Sequence, residues 1–353
     1  MLITRTPVRI SFVGGGTDQP EFYREHGGAV VSGAINKYFY TVLTERDDDV
    51  VQVISSDLKV MEELQRIRVE AYEGDLRIPM AVMKHLGLQR GVNLFLASEI
   101  PPGTGLGSSA AVCVNVIRAL WEMEGRAHSK YQLAEEAFHV AREILGAPVG
   151  KQDEYASAFG GINEIRFTAD GVHVEPLPLD DERIDALERR ILLFFTGSQR
   201  DSYAILAEQR RKSEERDPRV LASLTGLMGL VAEAKETLVQ ADLDRFGAIL
   251  DEGWRLKKRI SGSITSATID QAYDEARRRG ALGGKLAGAG GGGFLMLVVR
   301  DGARDEVRAA MVAGGFKEMS FHFDLHGSRV VYNDPFFDSN GRGGTRWRFV
   351  GEA

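Results

Sequence analysis

The segment from Ile100 to Ala111, with the sequence IPPGTGLGSSAA, has residue types that bind phosphate groups. Its glycines lack a Cβ atom, so the backbone can turn tightly and bring N–H groups close to anionic oxygens. An apolar run with helical spacing follows, and the first amides of a helix have no intrahelical acceptors. Ser108 and Ser109 can cap that helix or reach a phosphate-bound Mg²⁺. An ordinary glycine turn with a serine cap is the alternative interpretation.

A second candidate site follows the first predicted strand. Alternating apolar residues predict a strand over residues 8–13, and this strand ends at the sequence GGGTD, residues 14–18. Glycines at the end of a strand mark a place where another group approaches the backbone closely. Arg9 and Asp18 lie on either side of this turn, one cationic and one anionic. A surface arginine and a turn aspartate are the alternative.

Two further glycine-containing segments carry candidate residues. Apolar spacing predicts a helix over residues 132–145, with Glu143 near its end. A loop over residues 146–161 follows, with Asp153 at its centre. The sequence GGKLAGAGGGG, residues 283–293, forms a third loop directly before an apolar strand.

The context of several other motifs excludes the sites that they suggest. The glycines of the third loop match G-x-G-x-x-G, but a strand follows them, whereas the dinucleotide fingerprint opens a helix. Two segments that end at Lys151 and Lys285 resemble a Walker A loop but are one residue short and lack the following Ser or Thr. The H-R-D and D-F-G sequences of protein kinases do not occur. His322 and His326 have a metal-like spacing, but their segment alternates like a strand.

The elements around these loops predict an α+β fold. A hairpin turn at Asp47–Asp49 is expected to join strands at residues 38–44 and 50–54. An acidic, proline-containing stretch then separates two halves of the chain, and the second half opens with a strand at residues 190–195. Long helices are predicted in that half over residues 218–239, 243–260, 267–279 and 304–313.

Composition places the chain among ordinary globular proteins. Its 353 residues suggest two domains or one large one. With 44 Lys and Arg against 51 Asp and Glu, the net charge of −7 argues mildly against nucleic acid or an anionic membrane as partner. Cys113 is the only cysteine, so no intrachain disulfide can form. The chain lacks a signal-peptide pattern and an apolar run of membrane-spanning length, so we expect a cytoplasmic enzyme.

Three loops, TPVRISFVGGGTD, PPGTGLGSSAA and KLAGAGGGGF, resemble in order and spacing the signature motifs of one kinase superfamily. It is the GHMP superfamily, named for galactokinase, homoserine kinase, mevalonate kinase and phosphomevalonate kinase. The resemblance covers about residues 4–332 and implies an α+β fold of two domains. These are an N-terminal α/β domain (ribosomal protein S5 domain 2-like) over residues 1–185 and a C-terminal ferredoxin-like domain over residues 186–335, followed by a Gly- and Arg-rich tail, residues 336–353. ATP and a sugar would lie in the cleft between the domains.

The resemblance also implies roles for individual residues. Asp153 matches the catalytic aspartate, which accepts or orients the proton of the sugar hydroxyl, and Arg9 would lie beside it and keep it ionised. Ser109 (or Ser108) and Glu143 would hold Mg²⁺ through the oxygen ligands that this cation prefers. The implied contacts to ATP are Pro102, Gly103, Thr104, Gly105, Leu106, Gly107, Ser108, Ser109 and Ala110. The expected contacts to the substrate, of which Lys151 and Arg200 are chosen for their charge and position and not from the resemblance, are Gly15, Gly16, Thr17, Asp18, Lys151, Gln152, Arg200, Gly288, Ala289, Gly290 and Gly291.

Within this superfamily the loops look most like those of D-glycero-D-manno-heptose 7-phosphate kinases, and a fucokinase-like sugar kinase is the nearest rival. A sugar 7-phosphate carries a distal dianion, so basic residues should face it. The candidates are Lys151, Arg200, Lys257 and Lys258. A solvated helix face is the preferred interpretation for Lys257 and Lys258, whereas both interpretations stay open for Lys151 and Arg200.

The expected function is therefore ATP- and Mg²⁺-dependent phosphorylation of the anomeric hydroxyl of D-glycero-D-manno-heptose 7-phosphate, which gives the 1,7-bisphosphate. The alternatives are a kinase of an unphosphorylated sugar and a non-catalytic sugar or ATP sensor on the same fold. The combination of Arg9, Ser109, Glu143 and Asp153 favours catalysis, because a sensor need not keep a base and metal ligands together. The expected partners are a small sugar phosphate and ATP, without nucleic acid or membrane, and a homodimer is possible.

Overall fold

The computed structural model describes residues 1–65, 74–197 and 202–333, and within these residues helices pack around two β-sheets. The strands in chain order are β1 (Leu2–Val13), β2 (Gly28–Glu45), β3 (Val50–Ser55), β4 (Val60–Gln65), β5 (Val92–Ser98), β6 (Ile162–Thr168), β7 (Gly171–Pro176), β8 (Ile191–Phe195), β9 (Ala281–Leu286), β10 (Phe294–Val299), β11 (Lys317–Glu318) and β12 (Arg329–Asn333). The helices are α1 (Pro20–His26), α2 (Arg77–His85), α3 (Ser108–Met123), α4 (Lys130–His139), α5 (Gln152–Phe159), α6 (Asp181–Arg190), α7 (Ser202–Glu214), α8 (Pro218–Val239), α9 (Leu243–Lys258), α10 (Ala267–Arg278) and α11 (Arg304–Ala313). A π-helical turn, Val140–Ile144, continues α4.

The first sheet is organised around the long strand β2. Residues 28–33 of β2 pair antiparallel with β6, residues 39–45 pair antiparallel with β5, and β1 pairs along both parts. On the far side of β5, β3 pairs parallel with β5 and antiparallel with β4. The predicted hairpin at Asp47–Asp49 is therefore wrong, because β5 lies between the two strands that this turn connects.

The second sheet has the strand order β11-β8-β10-β9 and is antiparallel throughout. Its central strand β10 is buried along its whole length, which agrees with its continuous apolar sequence. Strand β9 includes residues 283–286, so the third glycine-rich loop begins only after Leu286. The predicted boundary between residues 185 and 186 falls inside α6. Strand β12 pairs with β1 in the first sheet, and the predicted tail, residues 336–353, lies outside the described residues.

Two hydrophobic clusters form the core: the first contains residues of both sheets, and the second contains residues of the second sheet and of the helices beside it. Trp121 of α3 is fully buried in the first cluster and Trp254 of α9 in the second. Helix α3 is buried on almost every side, because it packs against β1, α2, α4 and α5. Its small apolar residues permit this close packing. The core therefore fixes the position of α3, whose first turn lies beside the loop of residues 101–107.

The loop predicted over residues 146–161 contains helix α5. Asp153 lies in the first turn of α5, whose last turn packs near the start of β6. None of the described helices has the length and apolar content of a membrane-crossing helix.

Candidate active site

A cavity of about 360 Å³ lies where the three glycine-rich loops meet. The residues predicted for the site that line it are Arg9, Gly15, Gly16, Asp18, Pro102, Gly103, Gly105, Gly107, Ser108, Ser109, Ala110, Gln152, Asp153, Gly288 and Ala289. Other predicted site residues lie in the described part of the chain but do not line the cavity: Thr17, Thr104, Leu106, Glu143, Lys151, Gly290 and Gly291. Arg200 lies outside the described residues.

Arg9 and Asp153 form a two-point ion pair in the cavity. The Nε atom of Arg9 donates to Oδ1 of Asp153 at 2.7 Å, and Nη2 donates to Oδ2 at 2.5 Å. The third nitrogen, Nη1, donates to the Gly105 carbonyl at 2.7 Å. The Arg9 side chain is 3% exposed, whereas that of Asp153 is 27% exposed. The arginine thus fixes the carboxylate from the protein side and leaves part of it open to the cavity.

Asp18 joins the turn after β1 to the beginning of α5. Its Oδ1 accepts from the Gly16 N–H at 2.9 Å, and its Oδ2 accepts from the Gln152 N–H at 3.1 Å. Burial and the nearby charge of Asp153 raise the pKa of Asp18 above its usual range. A carboxylate at this place favours the α5 N-terminus electrostatically, and it has lone pairs left for a ligand hydroxyl.

The loop before α3 brings its backbone against the third loop and against Asp153. Gly105 has a φ of +83°, and a Cβ atom added there would lie 2.4 Å from the Ala287 carbonyl oxygen. A Cβ atom added at Gly107 would lie 3.2 Å from Oδ2 of Asp153. Glycine is therefore required at Gly105 for both conformation and space. The following first-turn amides of α3 have no intrahelical acceptors and can bind phosphate oxygens.

Two buried lysines line the cavity, and one of them was not among the predicted residues. Lys257 of α9 donates to the Gly288 carbonyl, and burial together with the nearby Arg9 lowers its pKa to about 8. Lys285 of β9 donates to the Phe12 carbonyl at 3.2 Å, and burial lowers its pKa well below the usual range. The preferred interpretation of Lys257 as part of a solvated helix face is therefore wrong.

The other candidate lysines are engaged elsewhere. Lys151 donates to both carboxylate oxygens of Glu135, at 2.6 and 2.7 Å, and lies over the ring of Phe138. Lys258 donates to Asp270 at 3.1 Å. Neither lines the cavity, so the described lysines that reach it are Lys257 and Lys285.

The π-helical turn changes which residue of its segment faces the cavity. Ala141 lines the cavity, whereas Glu143 is exposed and does not. A regular helix was predicted through this region, and a π turn rotates the residues that follow it relative to that pattern. Glu143 therefore does not line the cavity in this structure, and its role as a magnesium ligand stays a prediction.

Several cavity-lining polar groups fit phosphates and a cation. The Ser108 hydroxyl oxygen is buried and has no hydrogen-bond partner in the described part of the chain, and the same is true of Oε2 of Glu154. Burial and the neighbouring Asp153 raise the pKa of Glu154 well above its usual range. Ser109 also lines the cavity. Hydroxyl and carboxylate oxygens are ligands that Mg²⁺ prefers, so the donor set fits this ion.

Helix α7, from the second half of the chain, closes one side of the cavity. Gln209 donates to the Gly16 carbonyl and to the Gln19 side chain, both at 3.1 Å. At the same wall, the guanidinium of Arg77 lies 5.0 Å from the ring centre of Tyr203. Sequence reasoning missed Gln209 and Arg77, since their positions at the cavity depend on contacts between distant segments. Glu154 also was missed, although it adjoins Asp153 in the sequence.

Comparison with known proteins agrees with this arrangement. Residues 76–161 match the family model of the GHMP kinase N-terminal domain, and residues 234–317 match that of the C-terminal domain. A D-glycero-alpha-D-manno-heptose 7-phosphate kinase from Campylobacter jejuni is 31% identical over 302 residues, which are 84% of this chain and 88% of that protein. The bifunctional fucokinase/GDP-fucose pyrophosphorylase of Arabidopsis thaliana is 24% identical over 84% of this chain but only 29% of its own length.

A solved structure agrees as well. The crystal structure of a D-glycero-D-manno-heptose 1-phosphate kinase from Bacteroides thetaiotaomicron superposes with a TM-score of 0.79 and 26% identity, and the match covers 95% of this chain and all of that one. The predicted superfamily and its two-domain α+β fold are therefore confirmed. The chain belongs to the GHMP kinases and is an ATP-dependent phosphotransferase.

Proposed function

We propose that this kinase transfers the γ-phosphoryl group of ATP, with Mg²⁺, to the anomeric hydroxyl of D-glycero-D-manno-heptose 7-phosphate. The product would be the 1,7-bisphosphate. The observation that carries the proposal is the Arg9–Asp153 pair at the meeting point of the three loops, with Lys257 and Lys285 lining the same cavity. The name of the Campylobacter relative supports the same sugar phosphate as substrate.

In this proposal the chain acts mainly by positioning and by charge. The loop before α3 and the first amides of α3 bind the phosphates, and a bound Mg²⁺ would supply neutralisation of their charge. The sugar hydroxyl oxygen forms a bond to the γ-phosphorus while the bond to the β–γ bridging oxygen breaks and ADP leaves. Asp153 takes or orients the hydroxyl proton, and Arg9 holds the Asp153 carboxylate in one orientation.

The buried lysines favour a phosphate group beside them in the cavity. Burial disfavours the charged form of a lysine, so Lys257 and Lys285 are costly to keep protonated in an empty cavity. A phosphate dianion would offset this cost by pairing with them. The dianion could be the distal phosphate of the sugar or the γ-phosphate of ATP, and a sugar without phosphate would use only the second.

A substrate panel tests the proposal. ADP release would be measured with Mg·ATP and heptose 7-phosphate, heptose 1-phosphate, hexose 6-phosphates, fucose, galactose and mevalonate, with ³¹P NMR of each product. We expect turnover with heptose 7-phosphate and a new anomeric phosphate signal. The Bacteroides structure is named a heptose 1-phosphate kinase, so turnover with heptose 1-phosphate alone would move the reaction to another hydroxyl. Turnover with fucose alone would contradict a phosphorylated substrate.

A further inference from the structure

Gln209 of α7 reaches the cavity from the second half of the chain and is 6% exposed. Its amide nitrogen, Nε2, donates to the Gly16 carbonyl and to Oε1 of Gln19, both at 3.1 Å. An amide nitrogen carries two hydrogens, so these two bonds use its whole donor capacity. The amide oxygen, Oε1, accepts no hydrogen bond from residues 1–65, 74–197 or 202–333. A largely buried acceptor at the cavity is therefore left without a donor from the described protein.

Backbone carbonyls at both ends of this chain of hydrogen bonds fix the orientation of the Gln209 amide. Nε2 of Gln19 donates to the Pro148 carbonyl at 3.2 Å, so the oxygen of Gln19 is the atom that faces Gln209. A carbonyl oxygen accepts and never donates, so the nitrogen of Gln209 must face both Gly16 and Gln19. A flipped amide would bring oxygen against oxygen at both contacts. The free group at Gln209 is thus an acceptor in either ligand state.

This acceptor lies beside the turn that carries predicted substrate contacts. A Cβ atom added at Gly16 would lie 3.3 Å from Oε1 of Gln209, and one added at Gly15 would lie 3.5 Å from Nε2 of Gln152. Gln152 in turn donates to Oδ1 of Asp18 at 3.2 Å. Gln209, Gln152 and Asp18 therefore surround one glycine turn, and all three line the cavity.

We propose that Gln209 is a specificity residue of the sugar site, whose Oε1 accepts a hydrogen bond from a sugar hydroxyl other than the one that is phosphorylated. A buried acceptor in a fixed orientation is costly to leave unpaired, so a sugar that lacks the matching hydroxyl is a poorer substrate. The inference rests on the proposed function only in requiring that the substrate is a sugar. It gives α7 a part in recognition of the sugar as well as in closing the cavity.

Monodeoxy analogues of heptose 7-phosphate test this assignment, because each lacks one hydroxyl. The kcat/KM would be measured for the sugar and for the analogue at each secondary hydroxyl, with wild type, Gln209→Met and Gln240→Met. The last variant is the matched control, because it makes the same change at an exposed glutamine. We expect the wild type and the control to discriminate against one analogue by about 10-fold. Gln209→Met should lose most of the discrimination against that same analogue, while the KM of ATP stays within about twofold.

A merely structural role for Gln209 predicts a different pattern. It would lower kcat/KM by the same factor for every sugar, so equal discrimination in wild type and Gln209→Met, or none in the wild type, would overturn the assignment. Should Gln209→Met not fold, Gln209→Ala removes the same acceptor and is judged by the same ratios. If the wild type does not phosphorylate heptose 7-phosphate, the proposed function fails. The ratios are then measured with deoxy analogues of the sugar in the panel that is turned over, and unchanged ratios there would remove Gln209 from recognition.

Discussion

Arg9 and Asp153 are 144 positions apart in the sequence, yet they meet through two hydrogen bonds of 2.7 and 2.5 Å. Arg9 comes from β1 and Asp153 from the first turn of α5, so two rigid elements hold the pair. The third side-chain nitrogen of Arg9, Nη1, donates to the Gly105 carbonyl, which lies in the loop that leads to α3. Asp153, the proposed proton acceptor, and the proposed phosphate-binding loop therefore share one arginine, and a shift of either would disturb the other.

Removing Asp153, the proposed proton acceptor, should lower turnover without weakening nucleotide binding. We expect Asp153→Asn to lower turnover by about 10² to 10⁴, the range for a general acid–base residue, while the Kd for the nucleotide stays within a few-fold. Steady-state kinetics and calorimetry measure the two quantities. Asp170→Asn changes an exposed turn residue and should behave as wild type. Unchanged turnover in Asp153→Asn would remove this residue from the mechanism.

The close approach of the second and third loops makes Gly105 sensitive to any side chain. Gly105→Ala places a Cβ atom 2.4 Å from the Ala287 carbonyl oxygen at a φ of +83°. Gly302→Ala is the matched control, because Gly302 has a φ of +71° but open space around it. We expect a loss of about 1 kcal/mol of stability in the control and about 1–3 kcal/mol more in Gly105→Ala. Urea unfolding measures both, and equal losses would mean that the loops are free to move apart.

The glycine-rich loops could be predicted from the sequence because their signal is local. A turn that needs glycine, and a strand before it or a helix after it, leave a pattern within about fifteen residues. The loop before α3, the turn after β1 and Asp18 were found in this way, and all contribute to the cavity. Asp153 was located through the resemblance, although the helix that carries it was read as a loop.

The remaining parts of the site depend on contacts that no local pattern records. Lys257 has the sequence environment of an exposed helix face, but it is buried and donates to the Gly288 carbonyl of the third loop. Lys285 lies in a strand whose neighbours are known only after the second sheet forms. The prediction for Glu143 assumed a regular helix, because a 3.6-residue period does not reveal the π-helical turn that is present there. The hairpin at Asp47–Asp49 failed because β5, about forty residues later, enters between the two strands.

A substitution of Lys257, the buried lysine of α9, should show whether this side chain contacts the phosphate of the sugar or the γ-phosphate of ATP. We expect Lys257→Met to raise the KM of the sugar phosphate by about 10- to 100-fold, since a charge-assisted hydrogen bond contributes about 1.5–3 kcal/mol. The KM of ATP should change little. Lys258→Met is the neighbouring control, because Lys258 pairs with Asp270 outside the cavity. If the KM of ATP rises instead, Lys257 contacts the γ-phosphate.

The same lysine should make the stability of the ligand-free protein depend on pH. Burial lowers the pKa of Lys257 to about 8, against about 10.4 in an unfolded chain. Below about pH 8, Lys257 is protonated in both the folded and the unfolded protein. Between about pH 8 and 10 only the unfolded state holds the proton, so the free energy of unfolding rises with pH, by at most about 1.4 kcal/mol per unit from this group.

Urea unfolding at intervals between pH 7.5 and 9.5 measures this slope. We expect the free energy of unfolding of Lys257→Met to rise less steeply with pH than that of the wild type, because methionine fills the same space without a proton to lose. Lys258→Met keeps Lys257 and should retain the wild-type slope. Parallel curves for wild type and Lys257→Met would mean that the lysine is charged in the folded protein throughout this range. A ligand with a phosphate dianion should flatten the wild-type slope, because it favours the charged form of Lys257.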